Sequence, residues 1–64
     1  MLLVRFVIQP HSEGGYVIFR ERQLTGEAAT LQRAKALASK MAGEERRAGR
    51  VGRIVLADLG GNLI

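Results

Sequence analysis

The sequence predicts a single α+β domain over residues 1–64, with the order β-β-α-β-β and one helix packed on one face of an antiparallel sheet. Three observations predict it. Two strand-period runs flank a loop that ends in Gly14-Gly15. A row of alanines recurs at Ala34, Ala38 and Ala42, the spacing of one helix face. An apolar, β-branched run then precedes the turn residues Gly60-Gly61-Asn62.

Residues 2–9 alternate Leu2, Val4, Phe6, Ile8 against Leu3, Arg5, Val7, Gln9, the period of a strand with one more apolar face. Pro10 is expected to end it, having no N–H for the ladder. His11-Ser12-Glu13-Gly14-Gly15 reads as a polar loop whose glycines are free to take positive φ. Residues 16–22, opening on Tyr16-Val17-Ile18-Phe19, read as the returning strand. Residues 24–29 carry weak signals and read as a connector.

Thr25 and Thr30 are both candidate helix caps, and Thr30 is preferred, because its hydroxyl can accept an N–H of the first turn. Leu31, Ala34, Leu37, Ala38, Met41 and Ala42 then share one side, and the alanines let the helix lie close to a sheet. Glu45 extends the same row, so the buried face is expected to end at Ala42, with Gly43 or Gly49 ending the helix. Residues 53–58 read as the third strand, and Leu63-Ile64 as the start of a short fourth. Running these elements up and down in turn gives the spatial order 2-1-3-4, with strand three antiparallel to strand one.

This punctuation resembles a family of small bacterial and phage domains catalogued as domain of unknown function 2188. The counterparts are Val7-Ile8-Gln9-Pro10, Gly14-Gly15-Tyr16, Thr30 with Ala34 and Ala38, and Ile54-Val55-Leu56 followed by Gly60-Gly61-Asn62. The resemblance implies the same fold. It brings no activity and no site residues.

Composition narrows function by exclusion. Without cysteine there is neither a disulfide nor a thiolate metal site. No apolar run approaches the roughly 20 residues of a membrane-spanning helix. The opening apolar run is interrupted by Arg5 and lacks a basic leader, so a cytoplasmic location is expected. The lone His11 sits beside Ser12 and Glu13 in a flexible loop that provides no orienting third group, so no catalytic residue is assigned. One histidine with scattered carboxylates also makes no metal site, and no cofactor is expected. Gly49-Arg50-Val51-Gly52 has the form of the GxxG clamp of KH domains, but a strand follows where that fold requires a helix.

Two interaction surfaces are left. A chain of 64 residues buries only about 60% of the surface its unfolded form exposes, which makes self-association a useful aid. One helix covers one sheet face, yet both faces are apolar. With Val4, Phe6, Ile8, Tyr16, Ile18, Ile54 and Leu56 inward, Val7, Val17, Phe19, Val55 and Ala57 face away; the other register of strand two moves Tyr16 and Ile18 outside instead. The leading expectation is therefore a non-enzymatic module that forms a homodimer through the open face or a sheet edge. The alternative is nucleic-acid binding, or binding of an acidic protein, by the basic second half. The net charge is +4, and residues 33–53 carry all of the excess. Arg33, Lys40 and Arg47 recur every seven residues on the helix, with Arg46, Arg50 and Arg53 around and beyond its end.

Overall fold

The structure is a computed structural model that describes residues 2–64. The chain runs β1 (Leu3–Pro10), β2 (Tyr16–Arg20), β3 (Gln23–Ala28), α1 (Leu31–Arg47), β4 (Val51–Leu56). The four strands form one sheet in the order β3-β2-β1-β4, with α1 on one face. The fold is α+β, as the sequence predicts. No helix among the described residues is long and apolar enough to cross a membrane.

The sheet is mixed rather than purely antiparallel, which corrects the expected topology. β1 pairs antiparallel with β2 and parallel with β4. The cause is a strand in place of the expected connector. The chain turns back after Arg20, and Gln23–Ala28 pairs antiparallel with β2 as a third strand. That extra reversal makes the helix run down and β4 run up, beside and parallel to β1. The expected neighbours are nonetheless correct, because β2, β1 and β4 lie side by side in the anticipated positions.

The last expected strand shrinks to a single antiparallel bridge, Ala57 to Leu63, beside the outer edge of β4. Asp58 N–H donates to the Asn62 carbonyl at 2.8 Å and Ile64 N–H to the Leu56 carbonyl at 2.9 Å. The remaining boundaries move slightly: Pro10 closes β1 opposite Tyr16, and β4 starts two residues early, at Val51.

The β2–β3 turn lacks glycine. Glu21 takes φ 57°, an uncommon value for a residue with a side chain. It is held there from both ends: its N–H donates to the Arg5 carbonyl at 2.8 Å, and its carboxylate accepts from Arg5 N–H at 2.6 Å. Thr25 is an extra residue between the Ile18–Gly26 and Phe19–Leu24 pairs, and its hydroxyl donates to the Ile18 carbonyl at 3.2 Å. The β1–β2 loop behaves as read, with Gly14 at φ 102° and Gly15 at φ 74°.

Thr30 caps α1, its Oγ1 accepting from Arg33 N–H at 3.1 Å. The helix ends at Arg47 with Ala48 as C-cap and Gly49 next at φ 85°, so Gly49 rather than Gly43 is the stop. Ala34, Ala38 and Ala42 are its buried residues, packed on Val4, Phe6, Ile8 and Ile18. No larger row would allow so close an approach. At Gly52 a Cβ would stand 2.7 Å from the Cα and Cβ of Ala42, and at Gly26 it would stand 3.1 Å from the tips of Leu37 and Met41.

Two glycine substitutions should therefore act in opposite directions. Gly52→Ala forces helix and sheet apart and should cost about 2 kcal/mol or more in chemical unfolding. Gly43→Ala adds a methyl where nothing lies within 4 Å and should gain about 1 kcal/mol of helix propensity. Equal effects of the two changes would contradict this packing.

Candidate functional site

Alternation along the strands sorts the side chains between two faces. Val4, Phe6, Ile8 and Ile18 turn to the helix and are buried. Tyr16, only partly buried, packs against this cluster, which settles the register of β2. Val7, Val17, Phe19 and Val55 therefore lie on the open face, as expected.

Strand register aligns part of this set into one row. Leu24 pairs with Phe19, Phe19 with Val7, and Val7 with Val55, so an apolar line crosses all four strands. Leu24, 52% exposed, belongs to the strand that sequence reasoning missed and completes the row. Val17 lies on the next row, opposite Glu27 on one side and Gln9 on the other. On the opposite flank Arg5 stands directly beside Arg53.

Ala57 leaves the expected set. It is 2% exposed, its N–H donates to the Ile8 carbonyl at 2.9 Å, and the turn that follows lies against Gln9, whose amide donates to the Leu59 carbonyl at 3.3 Å. The chain itself covers this position.

The cations divide as well. Arg33, Lys40, Arg46 and Arg47 are exposed on the helix. At 100° per residue Arg33, Lys40 and Arg47 share the outward line, but Glu44, also exposed, falls between Lys40 and Arg47 on the same line and interrupts it. Arg53 projects from the open side of the sheet, away from the helix. Arg50 is engaged in an ion pair.

That ion pair is the main polar feature of the helix end. Arg20, closing β2, reaches the Glu45 carboxylate with Nε at 3.1 Å and Nη2 at 3.2 Å, a two-point fork. Arg50 Nε donates to the same carboxylate. One side chain thus ties β2, α1 and the approach to β4 together. The hydrogen bonds from Arg20 and then Arg50 hold the Glu45 carboxyl down at about 2, from an ordinary 4.5. Its place on the alanine row marks Glu45 in the sequence, but its partners are distant in the chain and leave no local signal.

His11 is exposed, and its Nδ1 accepts from Glu13 N–H at 3.1 Å. It serves the loop through this bond. Among the described residues no group of three or more histidines and carboxylates is placed to hold a metal ion. Gly49 to Gly52 joins the helix to β4, so the clamp geometry of a GxxG loop is absent.

Comparisons with family models, curated proteins and solved structures returned no match, so the functional reading rests on this chain's own geometry.

Glu45 makes stability depend on pH with a definite sign. Its folded pKa lies below the unfolded one, so its contribution is complete above about 4.5 and is lost as pH falls toward about 2. Glu45→Gln should lower the melting temperature at neutral pH, and the gap to the native chain should narrow across that acid window. A gap that stays constant from pH 7 to 2 would exclude the ion pair as its cause.

Proposed function

We propose that this chain is a small non-enzymatic interaction module that self-associates through the open face of its sheet. The observation that carries the reading is the uncovered row Leu24, Phe19, Val7, Val55 across all four strands. A monomer seldom leaves a continuous apolar patch of this kind in water.

Surface area supports the same reading. The chain exposes 4573 Å². A monomer of 7.0 kDa should expose about 4,000 Å². The open face measures roughly 400 Å² in plan for four strands of this length. That is half of the ~800 Å² per partner typical of stable complexes, so the association is weak.

The arrangement of the row suits a second copy as the occupant: a two-fold axis along it stacks Leu24, Phe19, Val7 and Val55 on their own equivalents, apolar against apolar.

Sedimentation equilibrium should give a mass that climbs from 7.0 kDa toward twice that value in the high micromolar range. Phe19→Lys and Val7→Lys should abolish the rise, and Arg33→Ala should leave it unchanged. A mass fixed at 7.0 kDa throughout would refute the reading.

A second reading, nucleic-acid binding by the basic helix, is favoured by one observation. Among the described residues only Arg20 and Arg50 pair with a carboxylate within 4.0 Å, which leaves the cations of the helix available. Glu44 within the stripe and the lack of an interleaved aromatic place this reading second. Replacing Arg33, Lys40 and Arg47 by glutamine should lower the log–log salt slope on duplex DNA by about 2.7. An unchanged slope would remove the stripe from consideration.

A further inference from the structure

The two sheet edges are not equivalent. The β3 edge carries the Thr25 bulge and the charge of Glu27, two devices that discourage strand pairing. The β4 edge has an unbroken register from Val51 to Leu56. In that parallel ladder Val51 N–H donates to the Leu2 carbonyl and Ala57 N–H to the Ile8 carbonyl, both at 2.9 Å. The alternate residues Val51, Arg53 and Val55 therefore bond toward β1, while Gly52, Ile54 and Leu56 direct N–H and C=O outward. Of these, only the Leu56 carbonyl has a backbone partner beyond the sheet among the described residues, the Ile64 N–H. Gly52 and Ile54 are left as a short run of outward donors and acceptors beside exposed Val51 and Ile54 side chains.

The surroundings of this edge are basic on both faces. Arg53 projects from the open side. On the helix side, Leu37 and Met41 approach Gly26 of β3 and Ala42 approaches Gly52 of β4. Continuing around the helix past Ala42 by about 20–40° reaches Lys35 and Arg46, both exposed, on the β4 flank. We propose that the outer edge of β4 is a strand-addition site for an extended, acidic segment of another protein. The backbone groups of Gly52 and Ile54 supply the ladder, and Arg53, Lys35 and Arg46 select the charge. A second copy fits this edge poorly. The symmetric register that pairs Gly52 with Ile54 sets Arg53 opposite its own equivalent, and registers further along β4 meet the chain end, where Leu63 bridges Ala57 and Ile64 N–H reaches the Leu56 carbonyl.

This site shares Arg53 with the open face proposed for the dimer, but its ladder groups, Gly52 and Ile54, belong to the edge and not to the apolar row, so the peptide titration tests it apart from the dimer. The probe is an octapeptide alternating glutamate and threonine, titrated into the isotope-labelled chain and read by amide exchange and chemical shift. The Gly52 and Ile54 amides should become at least tenfold slower to exchange. The exposed-site double variant Lys35→Glu/Arg46→Glu should weaken binding at least tenfold, as should Arg53→Glu if the double variant fails to fold. The same octapeptide N-methylated at alternate residues keeps its charge but cannot complete a ladder, and it should not bind. Equal binding of the methylated peptide overturns the proposal, as does protection of Gly52 and Ile54 that grows with protein concentration alone. Shifts at Lys35 and Arg46 with an oligonucleotide but not with the peptide also overturn it. None of these outcomes alters the mass measurement on Phe19→Lys, so failure here is distinguishable from failure of the dimer.

Discussion

The structure depends on how closely one helix can lie on the sheet. With 64 residues there is no second layer of helices and no disulfide to compensate for a loose contact. The core instead brings two backbones together. Ala34, Ala38 and Ala42 offer only methyl groups, and Gly52 removes even that beneath Ala42. The large buried side chains, Phe6, Ile8 and Ile18, can then come from the sheet alone. Gly26 extends the arrangement to the far strand, where Leu37 and Met41 fill the space a Cβ would take. The helix thus spans the sheet from β4 to β3, and among the described residues the opposite face is covered only at Ala57, by the turn that follows it.

How far the sequence reveals this depends on the kind of signal each element needs. The helix is legible in its cap and its alanine row, because both are local, whereas its stop is narrowed only to Gly43 or Gly49. β3 is not legible. Gln23-Leu24-Thr25-Gly26-Glu27-Ala28 holds several residues that strands disfavour. The turn before it uses Glu21 at positive φ, stabilised by Arg5 some 16 positions away in the chain. Gly26 adds no strand signal of its own, yet a Cβ there would stand 3.1 Å from the tips of Leu37 and Met41. One missed strand reversed the direction of everything after it while leaving the neighbours correct. Chain direction is counted element by element, whereas adjacency follows from apolar pattern.

The interaction surfaces divide in the same way. Alternation, a local property, separates Val17 and Phe19 from Tyr16 and Ile18 but leaves open which pair of β2 faces outward; the burial of Ile18 decides for Val17 and Phe19, beside Val7 and Val55. Their alignment into a row is a matter of register, and the row needed Leu24 from the missed strand. Ala57 follows the same alternation but is covered by a turn whose anchoring to Gln9 spans 50 residues. The arginines were read as one basic region because they are close in sequence. Folding sends Arg53 to the far side of the sheet, engages Arg50 with Glu45 and leaves Arg33, Lys40, Arg46 and Arg47 outside. Sequence proximity overstated the patch.

The separation of charge has a consequence for binding. A phosphate backbone calls for cations gathered on one continuous surface, and here the outward line of the helix is broken by Glu44. The β4 edge presents a different pattern, with single cations on either side of a strip of unpaired backbone. An extended chain inserted there places alternate side chains on the two faces. It would therefore meet Arg53 on one face and Lys35 and Arg46 on the other, a match that neither a duplex nor a helix can make. The register of β4 on β1 sets which residues turn outward: with Val51 and Ala57 bonded to β1, the alternate residues Gly52 and Ile54 present both backbone groups at the edge.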